Sequence, residues 1–141
     1  MRLGSRRSDR GGVAVELTLL TPLLLLLLVF VVALGRLAEG RQQVDDAAAQ
    51  AARAATVAAS SSGADETARQ AASASLASAR VACSHFSVST DTSSFVPGGV
   101  VRVQVSCTVA LADLSMLHLP GAETLTAVAT SPVDRFRMVG S

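Results

Sequence analysis

One carboxylate stands where a carboxylate is expensive. In Arg10-Gly11-Gly12-Val13-Ala14-Val15-Glu16-Leu17-Thr18-Leu19-Leu20-Thr21-Pro22, followed by a Leu-rich run to Gly35, Glu16 sits near the start of the one long apolar segment. An ionised side chain deep in hydrocarbon costs about 2.5–3.5 kcal/mol on insertion scales, and less near the end of a segment. Either Glu16 is an edge residue of an ordinary membrane segment, or a partner uses its charge. A carboxylate and an ammonium held together in an apolar bundle stabilise each other, because removing either leaves a buried charge unpaired. Such a pair also sets register along packed helices, as buried polar groups can.

The other reactive side chains are scattered. Cys83 and Cys107 are the only cysteines. They show no C-x-x-C spacing and no neighbouring ligand set, so a structural disulfide is favoured over a redox or metal pair. His85 and His118 are flanked by apolar or small residues, which suits surface or loop positions. Asp45 and Asp46 are adjacent on a helical pattern, so their side chains diverge by about 100° and make no carboxylate dyad. No serine lies in a G-x-S-x-G elbow, and Gly98-Gly99 has no lysine following it as a phosphate loop would. These absences argue against an enzyme, a metal site, a cofactor or a small-molecule substrate. A net charge of +1 with no Trp or Tyr offers neither a basic patch nor a stacking platform, which argues against nucleic acid.

The element that positions Glu16 is a membrane helix. Leu17 to Leu34 carries no charge and is interrupted only by Thr18, Thr21 and Pro22. With Val13 to Val15 it is long enough for a hydrocarbon core of about 30 Å. Arg2, Arg6, Arg7 and Arg10 precede it against a single Asp9, while Arg36 and Arg41 behind it are balanced by Glu39, Asp45 and Asp46. That bias puts the N-terminus in the cytoplasm and the rest outside the cytoplasmic membrane. There a disulfide between Cys83 and Cys107 persists.

Beyond the membrane segment, Leu37, Val44, Ala48, Ala51, Ala55 and Ala58 recur at three- and four-residue steps. Arg36, Glu39, Gln43, Asp46, Gln50 and Arg53 follow the same rhythm on another face, which predicts an amphipathic helix with a slim Ala stripe. Continuous with the membrane helix, it makes a rod over 13–59 roughly 70 Å long, kinked at Pro22. Ser62 with Asp65 predicts a capping box for a second helix, Ala64 to about Arg80.

The period then changes to two. Val101, Val103, Val105, Cys107 and Val109 alternate with polar residues, predicting a half-buried strand after a Pro97-Gly98-Gly99 turn. Further strands are expected over Val81–Ser89 and Glu123–Thr130, the latter after Leu119-Pro120-Gly121. The predicted class is α+β, with a three-stranded antiparallel sheet resting one face on the Ala stripe. The segments are a basic leader (1–11), a transmembrane helix (12–35), Ala-rich helices (36–80) and a β head with a short tail (81–141). On this plan Cys83 and Cys107 face each other across the first hairpin. A bridge closing about 25 residues contributes roughly 3–3.5 kcal/mol in the chain-entropy estimate.

Taken as a set, Gly11-Gly12, Val15-Glu16-Leu17, Pro22, the Leu run and Gly35-Arg36 resemble the TadE-like family of minor pilins, or pseudopilins, of the tight-adherence (Flp type IV pilus) machinery. The resemblance covers roughly residues 10–36, and the final strand and polar tail also look, more loosely, like such a head. It departs from the family pattern at Leu17, where an aromatic is usual, which leaves open how a prepilin peptidase handles this site. It implies cleavage between Gly11 and Gly12 by that peptidase, making Glu16 the fifth residue of the product. It also implies pairing of Glu16 with a neighbour's α-ammonium during assembly, and a helix shaped by Pro22. The implied partners are membrane lipid, prepilin peptidase, other pilin-like subunits and the pilus assembly platform, and the implied destination is the cytoplasmic membrane or a surface pilus. Two rivals remain. One is an uncleaved single-pass envelope protein whose outer domain binds a partner. The other is a soluble protein released by signal peptidase near Ala33-Leu34-Gly35.

Overall fold

The computed structural model describes residues 9–114 and 120–136, with side chains over 15–112 and 120–136. Most of the basic leader, His118 and Leu119 therefore lie outside the described residues. The chain divides into two compact units, Met1–Gly35 and Arg36–Ser141.

The first long element is α1, Asp9–Thr56, which begins four residues before the predicted start and ends three before the predicted end. Its composition explains its persistence: Leu and Ala dominate, and they are among the strongest helix formers. Pro22 lies within it. From Val15 to Leu34 the large apolar side chains of α1 are exposed, with Leu19 at 70% and Leu26 at 69% exposure.

In the second unit, the Arg36–Thr56 stretch of α1 has the amphipathic character its spacing predicts. Val44, Ala48, Ala51, Ala55 and, just past the helix, Ala58 are buried, while Arg36, Glu39, Asp46, Gln50 and Arg53 are exposed. The stripe is wider than expected, because Ala47 and Ala52 are buried as well. Methyl side chains allow close approach of another layer, so a broad Ala face packs without large cavities.

Helix α2, Ser61–Ser78, begins earlier than predicted, and its cap is Ser60 rather than Ser62. Ser60 has extended backbone, and its hydroxyl accepts from the Gly63 N–H at 3.2 Å. A run of three serines offers three possible caps, and the first one taken adds a turn of helix. Asp65 is thereby freed from capping and pairs with Arg69 one turn on. The helix closes on a Schellman arrangement. Val81 N–H bonds Leu76 C=O at 3.0 Å and Arg80 N–H bonds Ala77 C=O at 3.1 Å, with Arg80 in the left-handed region at φ 57°.

Three strands follow: β1 His85–Asp91, β2 Val100–Ala110 and β3 Ala122–Pro132. They form one antiparallel sheet in the order β1-β2-β3. Val101, Val103, Val105, Cys107 and Val109 face inward and are essentially inaccessible, as the alternation predicts. With the Ala face of α1, Ala64, Ala68, Ala72 and Leu76 of α2, and Leu125 and Ala127 of β3, they make a single core. The predicted α+β head with a three-stranded antiparallel sheet is thus the observed one. A short helix α3, Leu111–Leu114, was not expected.

The first strand starts later than predicted. Val81 to Ser84 is irregular chain, because the Schellman close of α2 uses Arg80 and Val81 to turn toward the sheet. At the hairpin, Gly98 has φ 79°, open to glycine at little cost, and a Cβ on Gly99 would overlap the Ser94 carbonyl.

Candidate functional site

The candidate functional residues form two groups. The first lies along the N-terminal part of α1. Gly11 and Gly12 fall in its opening turn. Glycine is the weakest helix former after proline, by about 1 kcal/mol relative to Ala, so a Gly-Gly pair there keeps the turn prone to opening. Glu16 follows one turn later and is exposed, among exposed Val15 and Leu17. Pro22 brings no N–H to the helical ladder. One residue before it, the Thr21 hydroxyl donates to the Leu17 carbonyl at 2.7 Å. That bond satisfies a hydroxyl in an apolar stretch, and Ser/Thr back-bonding of this kind bends helices. A threonine four residues after a helical carbonyl is the sequence signal for such a bond.

From Val15 on, the best 18-residue window of the helix has a mean hydropathy of 2.9, and none of it is buried. A continuous apolar surface of this size is not left in water by a soluble protein. The helix is long and apolar enough to cross a bilayer and is compatible with a single-pass membrane anchor.

The second group is the cysteine pair. Cys83 and Cys107 form a disulfide with Cα atoms 5.3 Å apart. The pairing is as expected, but the geometry is not. Cys107 lies opposite Phe86 in the ladder, and Cys83 precedes β1 altogether. Cys83 reaches the sheet because Ser84 continues the ladder by one bond, its N–H donating to Thr108 C=O at 2.8 Å. Since Cys107 is fully buried on the inner face, the bridge ties the α2–β1 connection to the core.

Elsewhere the head shows no assembled chemistry among the described residues. His85 opens β1 in an exposed position, and Asp45 and Asp46 are both exposed. No group of three or more His, Cys, Asp or Glu side chains converges on a possible metal position among the described residues. Asp91 is held below the usual carboxylate range because Ser93 donates to it from its N–H, at 3.0 Å, and from its hydroxyl, with Arg102 nearby adding to the effect. This is an Asx turn at the end of β1. An open groove of about 370 Å³ lies between Arg41, Val44 and Asp45 of α1 and Glu123–Thr126 of β3.

Residues 11–53 match the family model described as TadE-like protein. The match begins at Gly11 and takes in Glu16, Pro22, the apolar run and most of the Ala-rich part of α1. Over this segment, less than a third of its length, the chain is similar to that family. No curated protein and no solved structure matches the chain.

Proposed function

We propose that this chain is a pilin-like minor subunit, a pseudopilin, of a tight-adherence (Flp) type IV pilus, and a peptidase substrate rather than an enzyme. The observation that carries the reading is the coincidence of the TadE-like match with the Gly11-Gly12, Glu16 and apolar-helix arrangement. Prepilin peptidase cuts the Gly11–Gly12 bond on the cytoplasmic side. The cut releases the basic leader and leaves Gly12 with a free α-ammonium. The helix stays in the membrane and holds the head outside it, and the disulfide fits an extracytoplasmic head.

Glu16 then has a use. In a bundle of such helices, its carboxylate pairs with the α-ammonium of a neighbouring Gly12. The pair compensates two charges that are otherwise costly in hydrocarbon, and it fixes the axial register of one subunit against the next. The mature chain acts in pilus assembly or is incorporated as a minor component.

The test is Glu16→Ala in the native host. The variant is expected to remain anchored and processed, yet be absent from sheared pilus fractions or fail to support piliation. Normal piliation with the Ala variant overturns the charge-pairing mechanism.

A further inference from the structure

The bond that the proposed peptidase cuts lies inside a helix. α1 opens at Asp9 and runs through Gly11 and Gly12 without a break. In an α-helix each carbonyl accepts from the N–H four residues on, so the Gly11 carbonyl lies along the axis and is engaged by Val15. Hydrolysis asks for something else. Water adds to the Gly11 carbonyl carbon, the C–N bond breaks, and the products are a Gly11 carboxylate and a Gly12 α-ammonium. The attacking oxygen must come within about 3–3.5 Å of that carbon, aligned with its orbital. The carbonyl oxygen must also be free to take donors from the enzyme as charge develops on it. A carbonyl held in the helical ladder meets neither demand, so the turn has to open first.

Composition makes this turn the easiest part of the helix to open. Gly11-Gly12-Val13-Ala14-Val15 holds two glycines and two β-branched residues, and only Ala14 is a strong helix former. Leu23 to Leu28, further along, is six leucines without interruption. The other glycines of α1, Gly35 and Gly40, stand singly. Position helps as well. The first four N–H groups of a helix have no partner within it. Unwinding from the end up to Gly12 therefore gives up only the bonds accepted by the Asp9, Arg10 and Gly11 carbonyls. The same unwinding within the apolar run would strand backbone donors and acceptors in hydrocarbon.

We propose that the peptidase acts only on the opened first turn of α1, and that Gly12 sets the rate of processing by keeping that turn open part of the time. Gly12 is then a positioning residue, acting through backbone freedom rather than through contact with the enzyme. The inference rests on the processing reading above and adds a conformational step to it. When opening and closing are fast against cleavage, the rate of the cut follows the population of the open form. One exchange between glycine and alanine within a helix changes that population about fivefold.

Four full-length chains in proteoliposomes with purified prepilin peptidase test it: the unaltered chain, Gly12→Ala, Ala14→Gly and the double variant, all keeping Gly11. Release of the leader is timed by mass spectrometry. Gly12→Ala is expected to slow the cut about fivefold and Ala14→Gly to speed it about fivefold, with the double variant back near the unaltered rate. Amide hydrogen exchange of residues 13–15 without peptidase should follow the same order, because it reads local opening directly. A glycine that merely fits an enzyme pocket would not be rescued two positions away. A Gly12→Ala chain slowed and left unrelieved by Ala14→Gly overturns the proposal, as do four equal rates, and either result leaves the processing reading standing. No cut at Gly11–Gly12 in any of the four overturns both.

Discussion

Two stretches of one helix solve opposite problems. Between Val15 and Leu34, α1 presents Leu, Val and Phe all round, and every one of those side chains is exposed. Between Val44 and Ala55 the same helix presents Ala on one face and charge on the other, and the Ala face is fully buried. Large apolar residues lie where the protein offers them no partner, and the smallest lie where packing is tightest. The contrast teaches what each surface is for. A bilayer is a fluid partner that rewards apolar area without demanding shape. A sheet is a solid partner, against which small side chains bring the backbones close. Charge follows the same division: Glu16 is the single ionisable group from Val13 to Gly35, while the outer face of the Ala-rich stretch is lined with them.

The contrast can be broken most severely at the bridge. With so much of its core built from methyl groups, the head leans on the Cys83–Cys107 link. Replacing both cysteines by serine is expected to cost about 3 kcal/mol, from the entropy of a loop of this size. For a head of this length that lowers the melting temperature of the full chain in micelles by on the order of 15 °C. A shift of a degree or two would mean that packing alone holds the head.

A matched pair of substitutions in α1 sharpens the contrast directly. Ala51→Leu adds volume at a fully buried position and should cost about 1–3 kcal/mol by overpacking. Leu24→Ala removes volume at a position 63% exposed and should leave the melting of the head where it was, which circular dichroism of the two variants compares. Equal effects would erase the distinction between the two surfaces. Within the head, a smaller change separates the two candidate caps. Ser60→Ala should cost about 1 kcal/mol, whereas Ser62→Ala should change stability by no more than a few tenths.

Periodicity made the larger elements legible before any coordinates. The three-residue and four-residue recurrence of Ala in α1 and the strict alternation of Val101 to Val109 both report which face is buried, and the buried residues follow both. Local chemistry was harder to read where several residues compete for one role. Three serines in a row hide which one caps α2. Arg80 takes a left-handed conformation at the position where glycine usually announces a helix end, so the departure of Val81 to Ser84 from the sheet left no mark. Cys83 precedes β1 for the same reason. Its pairing with Cys107 was legible all the same, because two cysteines in a small head have one partner each to choose. At the candidate processing site, Gly11, Gly12 and Glu16 were legible as a pattern because each is anomalous in an apolar helix. The hydroxyl of Thr21 was not, since it is satisfied locally and breaks no pattern.

The most direct test of the central claim is the N-terminal sequence of the protein recovered from membranes of its native host, with and without prepilin peptidase. The account predicts a chain starting at Gly12 only when the peptidase is present, with Glu16 at its fifth position. A chain starting at residue 1 or 2 in both strains would contradict it and leave an uncleaved anchor. A start near Arg36 would contradict it in favour of a secreted product.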